Sequence, residues 1–176
     1  MKNCTYVLRT VLCLCVILVA GRMIAQSPYT NEILNSSTGD KVGFLQYLPK
    51  EYSTEPSSIR HPIIIFLHGI GERGNGTTEL QKVGWVGMPR IINAGNKMRF
   101  TWNGKTETFL VIASQCPLKY GMWPQLFVDE LIEYARKDLR IDTNRIYLTG
   151  LSMGAGGSMK YITNGAANYP DRKSVV

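Results

Sequence analysis

The chain has 176 residues, 44% hydrophobic and 19% charged, enough for one domain with a real core and unlike a disordered segment. Its formal net charge of +7 is scattered: Lys2, Arg9 and Arg22 fall in an N-terminal stretch without acids, and no run of Lys or Arg exceeds two residues. Without a clustered basic stripe, a nucleic-acid partner is not expected.

Residues 1–25 read as a signal peptide. Lys2 and Arg9 make its basic start, Val11 to Ala20 is an unbroken apolar run, and Gly21 and Arg22 lead to a cut after Ala25. The run is shorter than the ~18 residues a membrane span needs. The expectation is therefore an exported protein, periplasmic or secreted, with no stable membrane span after cleavage; an uncleaved anchor is the alternative. Cys4, Cys13 and Cys15 leave with this segment, so Cys116 stands alone and no internal disulfide is expected. No His lies downstream to activate Cys116, which reads as a small core residue beside Pro117 rather than a nucleophile.

Gln26 to Asp40 is polar and turn-rich, a lead-in. Val42 to Leu48 carries Phe44, Leu45, Tyr47 and Leu48 and is predicted to be an early strand. Glu51 to Arg60 is a polar connector. Ile63 to Leu67 is a continuous apolar run, as in a parallel strand buried on both faces. It ends at His68-Gly69, with Gly71, Gly74 and Gly76 close behind. Phe109 to Ala113 is a second buried strand. Phe127, Leu131 and Tyr134 form one stripe of a helix over 127–139, whose C-terminal dipole is complemented by Arg136, Lys137 and Arg140. Arg145 to Thr149 is a third strand, and Ser152 to Ile162 a glycine-rich helix. This order predicts an α/β fold with a mostly parallel sheet, flanking helices, and loops gathered along one sheet edge.

Gly150-Leu151-Ser152-Met153-Gly154 matches G-x-S-x-G. The match gains weight from context, because a strand runs straight into it and a helix follows, the setting of a nucleophile elbow. Such a turn strains the serine backbone, lifts its hydroxyl clear of the sheet and aims the helix N-terminus at it. Two other readings stand beside this one: Ser152 as a mere helix cap, and a phosphate-binding loop, which lacks its lysine. The second element is His68-Gly69-Ile70-Gly71 after the buried strand. Acyl transfer needs two oxyanion donors, which here would be the N–H of Met153 and that of Ile70 or Gly71. His68 reads as a structural residue of that loop, since the base of this arrangement follows the nucleophile in the chain. His61, at the start of its strand, lies at the wrong edge.

The strings HPIIIFLHGIGERG, ASQCP and DTNRIYLTGLSMGAGG, with Trp123 between the last two, resemble the secreted bacterial "predicted peptidase" group of α/β-hydrolases. Its relatives include polyhydroxybutyrate-depolymerase-like and feruloyl-type esterases and the phospholipase/carboxylesterase group. The resemblance spans about Val42 to Tyr169. It implies Ser152 as nucleophile, Met153 with Ile70 or Gly71 as oxyanion hole, Glu72 and Arg73 bracing that loop, and Gln115 and Trp123 near the mouth of the site. Gly69, Gly150 and Gly154 support the turns. Glu72 and Arg73 could instead be a solvated pair, and Trp123 plain packing. Ala155 and Met159 depart from the group, which usually has Gly and often Trp there.

In this group an Asp and a His follow the nucleophile. Here Asp171 is the one Asp after Ser152, and no His follows it. The expectation is a C-terminally truncated hydrolase domain over 26–170, inactive as it stands. Residues 171–176 (DRKSVV) match a common sequencing adapter read through in frame and are expected to be non-native. The activity implied is hydrolysis of a small-molecule or polymer ester through an acyl-serine, with no metal or organic cofactor. The alternatives are a serine peptidase of the same fold and a non-catalytic pseudo-hydrolase or binding protein.

Overall fold

The computed structural model describes residues 27–165. The expected signal peptide and the expected tail over 171–176 lie outside the described residues. Strands β1 (Thr30–Asn35), β2 (Lys41–Tyr47), β3 (His61–Leu67), β6 (Leu110–Ser114) and β7 (Ile141–Gly150) form one sheet in the order β1-β2-β6-β3-β7. The pairings of β3 with β6 and β7 are parallel, and those of β2 with β1 and β6 antiparallel. Four strands thus run one way and β2 alone is reversed. Helices α1 (Gly87–Asn93), α2 (Gln125–Asp138) and α3 (Met153–Gly165) flank this sheet, and β4 (Arg99–Trp102) and β5 (Lys105–Thr108) make a separate hairpin.

The continuous apolar run of β3 is explained by burial on both faces. Ile63, Ile65 and Leu67 join Leu110 and Ile112 in a core closed by Val128, Leu131 and Ile132 of α2 and Met153 and Tyr161 of α3. Phe66, Val111 and Ala113 point the other way, onto Leu80, Val83 and Ile92 of α1 and the turn before it. Successive residues alternate faces because a strand has a period of two.

Register decides where the loops meet. Leu67 pairs with Ser114 on one side and with Gly150 on the other, so β3, β6 and β7 end in one row. The chain segments beginning at His68, Gln115 and Leu151 therefore leave from the same edge, the position of ligand sites in α/β sheets.

Three elements differ from expectation. The polar lead-in contains β1, an edge strand held by backbone pairing to β2 along its length. α1 and the β4–β5 hairpin fall in the stretch between the two buried strands, where the sequence reading placed none. No helix among the described residues is long and apolar enough to cross a membrane.

Candidate active site

Ser152 sits at φ +52°, in the left-handed region that costs an L-residue roughly 1–2 kcal/mol. It is exposed at the sheet edge, so the strained turn lifts the hydroxyl out of the fold. Two glycines let the chain turn so tightly. A Cβ on Gly150 would lie 2.2 Å from the carbonyl carbon of Gly154, and one on Gly154 would lie 1.9 Å from the carbonyl oxygen of Leu67. The elbow is pinned to β3 by the Leu151 N–H, which donates to the Leu67 carbonyl at 2.9 Å. α3 starts at Met153, whose N–H, at the first helical position, has no acceptor one turn back.

The glycine turn after β3 lies against the elbow. A Cβ built on Gly69 would stand 3.7 Å from the Ser152 Cβ and 3.6 Å from the Leu151 oxygen. Ile70 to Glu72 form one 3-10 turn, with Ile70 and Gly71 exposed. A Cβ on Gly71 would meet nothing within 4 Å, so this glycine is not sterically required.

The turn is held from below by polar side chains. Arg73 donates from Nε to the Ile70 carbonyl at 3.0 Å and from Nη1 to the carbonyls of Leu118 (3.2 Å) and Tyr120 (2.9 Å). Because the peptide is planar and trans, fixing the Ile70 carbonyl also fixes the Gly71 N–H on its far side. The Glu72 side chain is mostly buried, one oxygen 4.0 Å from His68 Nδ1, and would sit 3.1 Å from a Cβ on Gly69. Glu72 and Arg73 are both half-buried. Gln115 is fully buried: its Nε2 donates to the Glu72 and Glu79 carbonyls at 2.8 Å each, and its Oε1 accepts from the Gly76 N–H at 2.9 Å. It lies under the loop and not at the mouth of the site. The physical reason is that three buried backbone groups need partners. Trp123, also buried, packs on Gly157 and donates from Nε1 to the His68 carbonyl at 3.0 Å. It too is a strut, tying the start of the glycine turn to α3.

His68 has no exposed surface. Cys116 N–H donates to its Nε2 at 2.9 Å, so the ring proton is on Nδ1, which donates to the Gly69 carbonyl at 2.5 Å. Burial pushes this imidazole down to about 4, outweighing the Gly69 carbonyl, which favours the charge; Arg73 adds to the lowering. His68 is therefore a neutral tie between two loops, with both nitrogens committed. Cys116 is a buried core residue, its thiol pushed up to about 12 by burial.

A pH prediction follows from the depressed His68 value. The unfolded imidazole titrates near 6.5, so as pH falls the unfolded chain takes up the proton first. The stability due to neutral His68 is complete above pH ~6.5 and declines toward pH ~4, by on the order of 3 kcal/mol in all. Urea denaturation at stepped pH should show this decline in the parent chain. The His68→Gln variant should lack this contribution, so the decline should appear in the difference between the parent and variant curves.

Sequence reasoning missed an apolar rim at this edge. Ile70, Leu118, Met122 and Leu151 are all about half exposed, and Met122 rests against Gly156 of α3. Apolar residues in loops were the one available signal. Among the described residues no group of three His, Cys, Asp or Glu side chains could hold a metal ion.

The fold and the serine elbow together define the class: this is part of an α/β-hydrolase fold. Over 82% of its length the chain superposes on a thermostable esterase, with a TM-score of 0.54 and 23% identity, covering 38% of that chain. Over 81% of its length it superposes on a ferulic acid esterase, with a TM-score of 0.54 and 19% identity, covering 56% of that chain. The chain thus spans between about two fifths and just over half the length of these two proteins. No family model and no curated protein matches it.

Proposed function

We propose that this chain carries the nucleophile of a serine hydrolase that cleaves carboxylic esters through an acyl-Ser152 intermediate. The observation that carries the reading is the exposed, left-handed Ser152 held against the Gly69-Ile70-Gly71 turn. In this mechanism Oγ attacks the ester carbonyl carbon while a base takes its proton. The resulting oxyanion accepts hydrogen bonds from the Met153 N–H and from the N–H of Ile70 or Gly71, each worth ~3 kcal/mol of barrier. The alcohol leaves with a proton, and water then releases the acid from Ser152. Arg73, Gln115 and His68 act on the donors indirectly, by holding the turn. The apolar rim supports an ester with an apolar group beside the carbonyl. That both structural neighbours are esterases supports an ester over a peptide bond.

The base is proposed to be a histidine outside these 176 residues. The chain has two histidines. His68 is neutral and doubly bonded, and His61 is bound to Glu55 and the Thr108 carbonyl at the opposite edge of the sheet. The partial coverage of both neighbours supports completion of the domain by further chain, as does β7, which among the described residues pairs on one side only. On this reading the 176 residues alone hydrolyse esters slowly or not at all. Export remains part of the proposal, supported by the apolar run at Val11 to Ala20.

The test is to express the reading frame extended beyond Pro170 and treat it with a fluorophosphonate probe. Labelling of the parent and not of Ser152→Ala supports the proposal, and relative turnover of nitrophenyl esters and peptides separates esterase from peptidase. A folded, extended protein that contains a downstream Asp and His and does not label would instead be a binding protein that keeps the elbow as architecture.

A further inference from the structure

His61 and Leu67 stand at opposite ends of β3, about 20 Å apart at ~3.3 Å per residue. The edge at His61, remote from Ser152, holds a cavity of about 330 Å³ between the approach to β3, the β4–β5 hairpin and β7. Its charged walls are Arg60, Arg99, Lys105 and Arg145, facing Glu55 and Glu107. Both carboxylates are already engaged. Glu55 binds His61 and also Arg140, at 3.1 Å. Glu107 binds Lys105 at 2.7 Å and Arg145, which also holds Asp142 at 2.7 Å. Arg60 donates to the carbonyls of Ser57 and Ile59 and meets no carboxylate among the described residues. Arg99 forms no ion pair among them. Two guanidinium groups from separate elements thus border one cavity with their charge uncompensated.

We propose that this cavity is a non-catalytic site for a small, multiply charged oxyanion, either a phosphoryl group or closely spaced carboxylates. Guanidinium forks match the paired oxygens of both. Lys105 and Arg145 are already balanced by Glu107 and Asp142, so the recognition rests on Arg60 and Arg99. The site lies beyond the hydrolytic reading and does not depend on it, since its walls share no residue with the elbow.

The test is calorimetric titration of inorganic phosphate and, separately, of citrate into the full chain. Saturable one-to-one binding is expected for at least one of them, weakened about tenfold or more by Arg99→Ala and by Arg60→Ala. Both side chains are exposed, so thermal midpoints should stay put. Arg90→Ala, an equal loss of charge on α1, should change affinity less than twofold, and Ser152→Ala should leave binding intact even if the hydrolase reading fails. Binding of phosphate alone assigns a phosphoryl ligand, and binding of citrate alone a polycarboxylate. No saturable binding of either, or an equal loss in Arg90→Ala, overturns the proposal.

Discussion

Replacing Gly154 with alanine is expected to destabilise the domain by at least ~3 kcal/mol, enough to leave much of it unfolded. The new Cβ would lie 1.9 Å from the Leu67 oxygen, 2.5 Å from the Leu67 carbonyl carbon and 2.8 Å from the His68 oxygen. All three are backbone atoms, so no rotamer change relieves the clash. α3 would have to back away from β3. That motion breaks the Leu151–Leu67 hydrogen bond and uncovers Met153 and Tyr161, which belong to the core beneath α2 and α3. Gly156 supplies the control on the same helix. A Cβ there would meet only the Met122 sulfur and methyl at 3.7–3.8 Å, an ordinary contact. Gly156→Ala should therefore be neutral or stabilising by up to ~1 kcal/mol. Urea midpoints at constant m-value measure both, and a Gly154→Ala protein as stable as its parent would contradict the packing described.

The second large effect is at Ser152 and has two readouts that part company. If the proposed hydrolase reading holds, removing the hydroxyl by Ser152→Ala or Ser152→Gly in the extended protein should lower kcat by roughly 10⁴-fold or more. The two variants should differ in stability. At φ +52° alanine keeps the left-handed strain, whereas glycine has no Cβ to strain. Ser152→Gly should therefore be about 1 kcal/mol more stable than Ser152→Ala, measured as the difference in urea midpoints. Equal activity loss with unequal stability would show that the strain belongs to the turn and the chemistry to the hydroxyl. Equal stability of the pair would remove the strained elbow.

What was legible in the sequence was what hydrophobic burial and steric exclusion write there. β3 and β6 are apolar on both faces because both faces are covered, and α2 carries its stripe because one face is. Gly150 and Gly154 were readable because no other residue fits. β1 was not, because its residues are largely exposed and its order comes from backbone pairing, which any side chain permits. The hairpin left a signal that went unread. Asn103 and Gly104 both have positive φ, the turn expected of an Asn-Gly pair between short strands. Gln115 was misplaced at the site mouth because its role depends on carbonyls 36 and 43 residues earlier in the chain, which no local pattern encodes. The same holds for the reach of Arg73 to Leu118 and Tyr120.

That web of ties has a consequence for how selectivity can arise. The turn beside Ser152 is fastened by Arg73, Gln115 and His68 to the segment following β6, so on the proposed hydrolase reading its amides would be set before a ligand arrives and would need little reorganisation. A turn so fastened has little room to close over one guest and stay open for another. If the chain acts as proposed, discrimination among esters would then fall to rigid shape at the rim, and to the guest's own ability to present its carbonyl at the required angle.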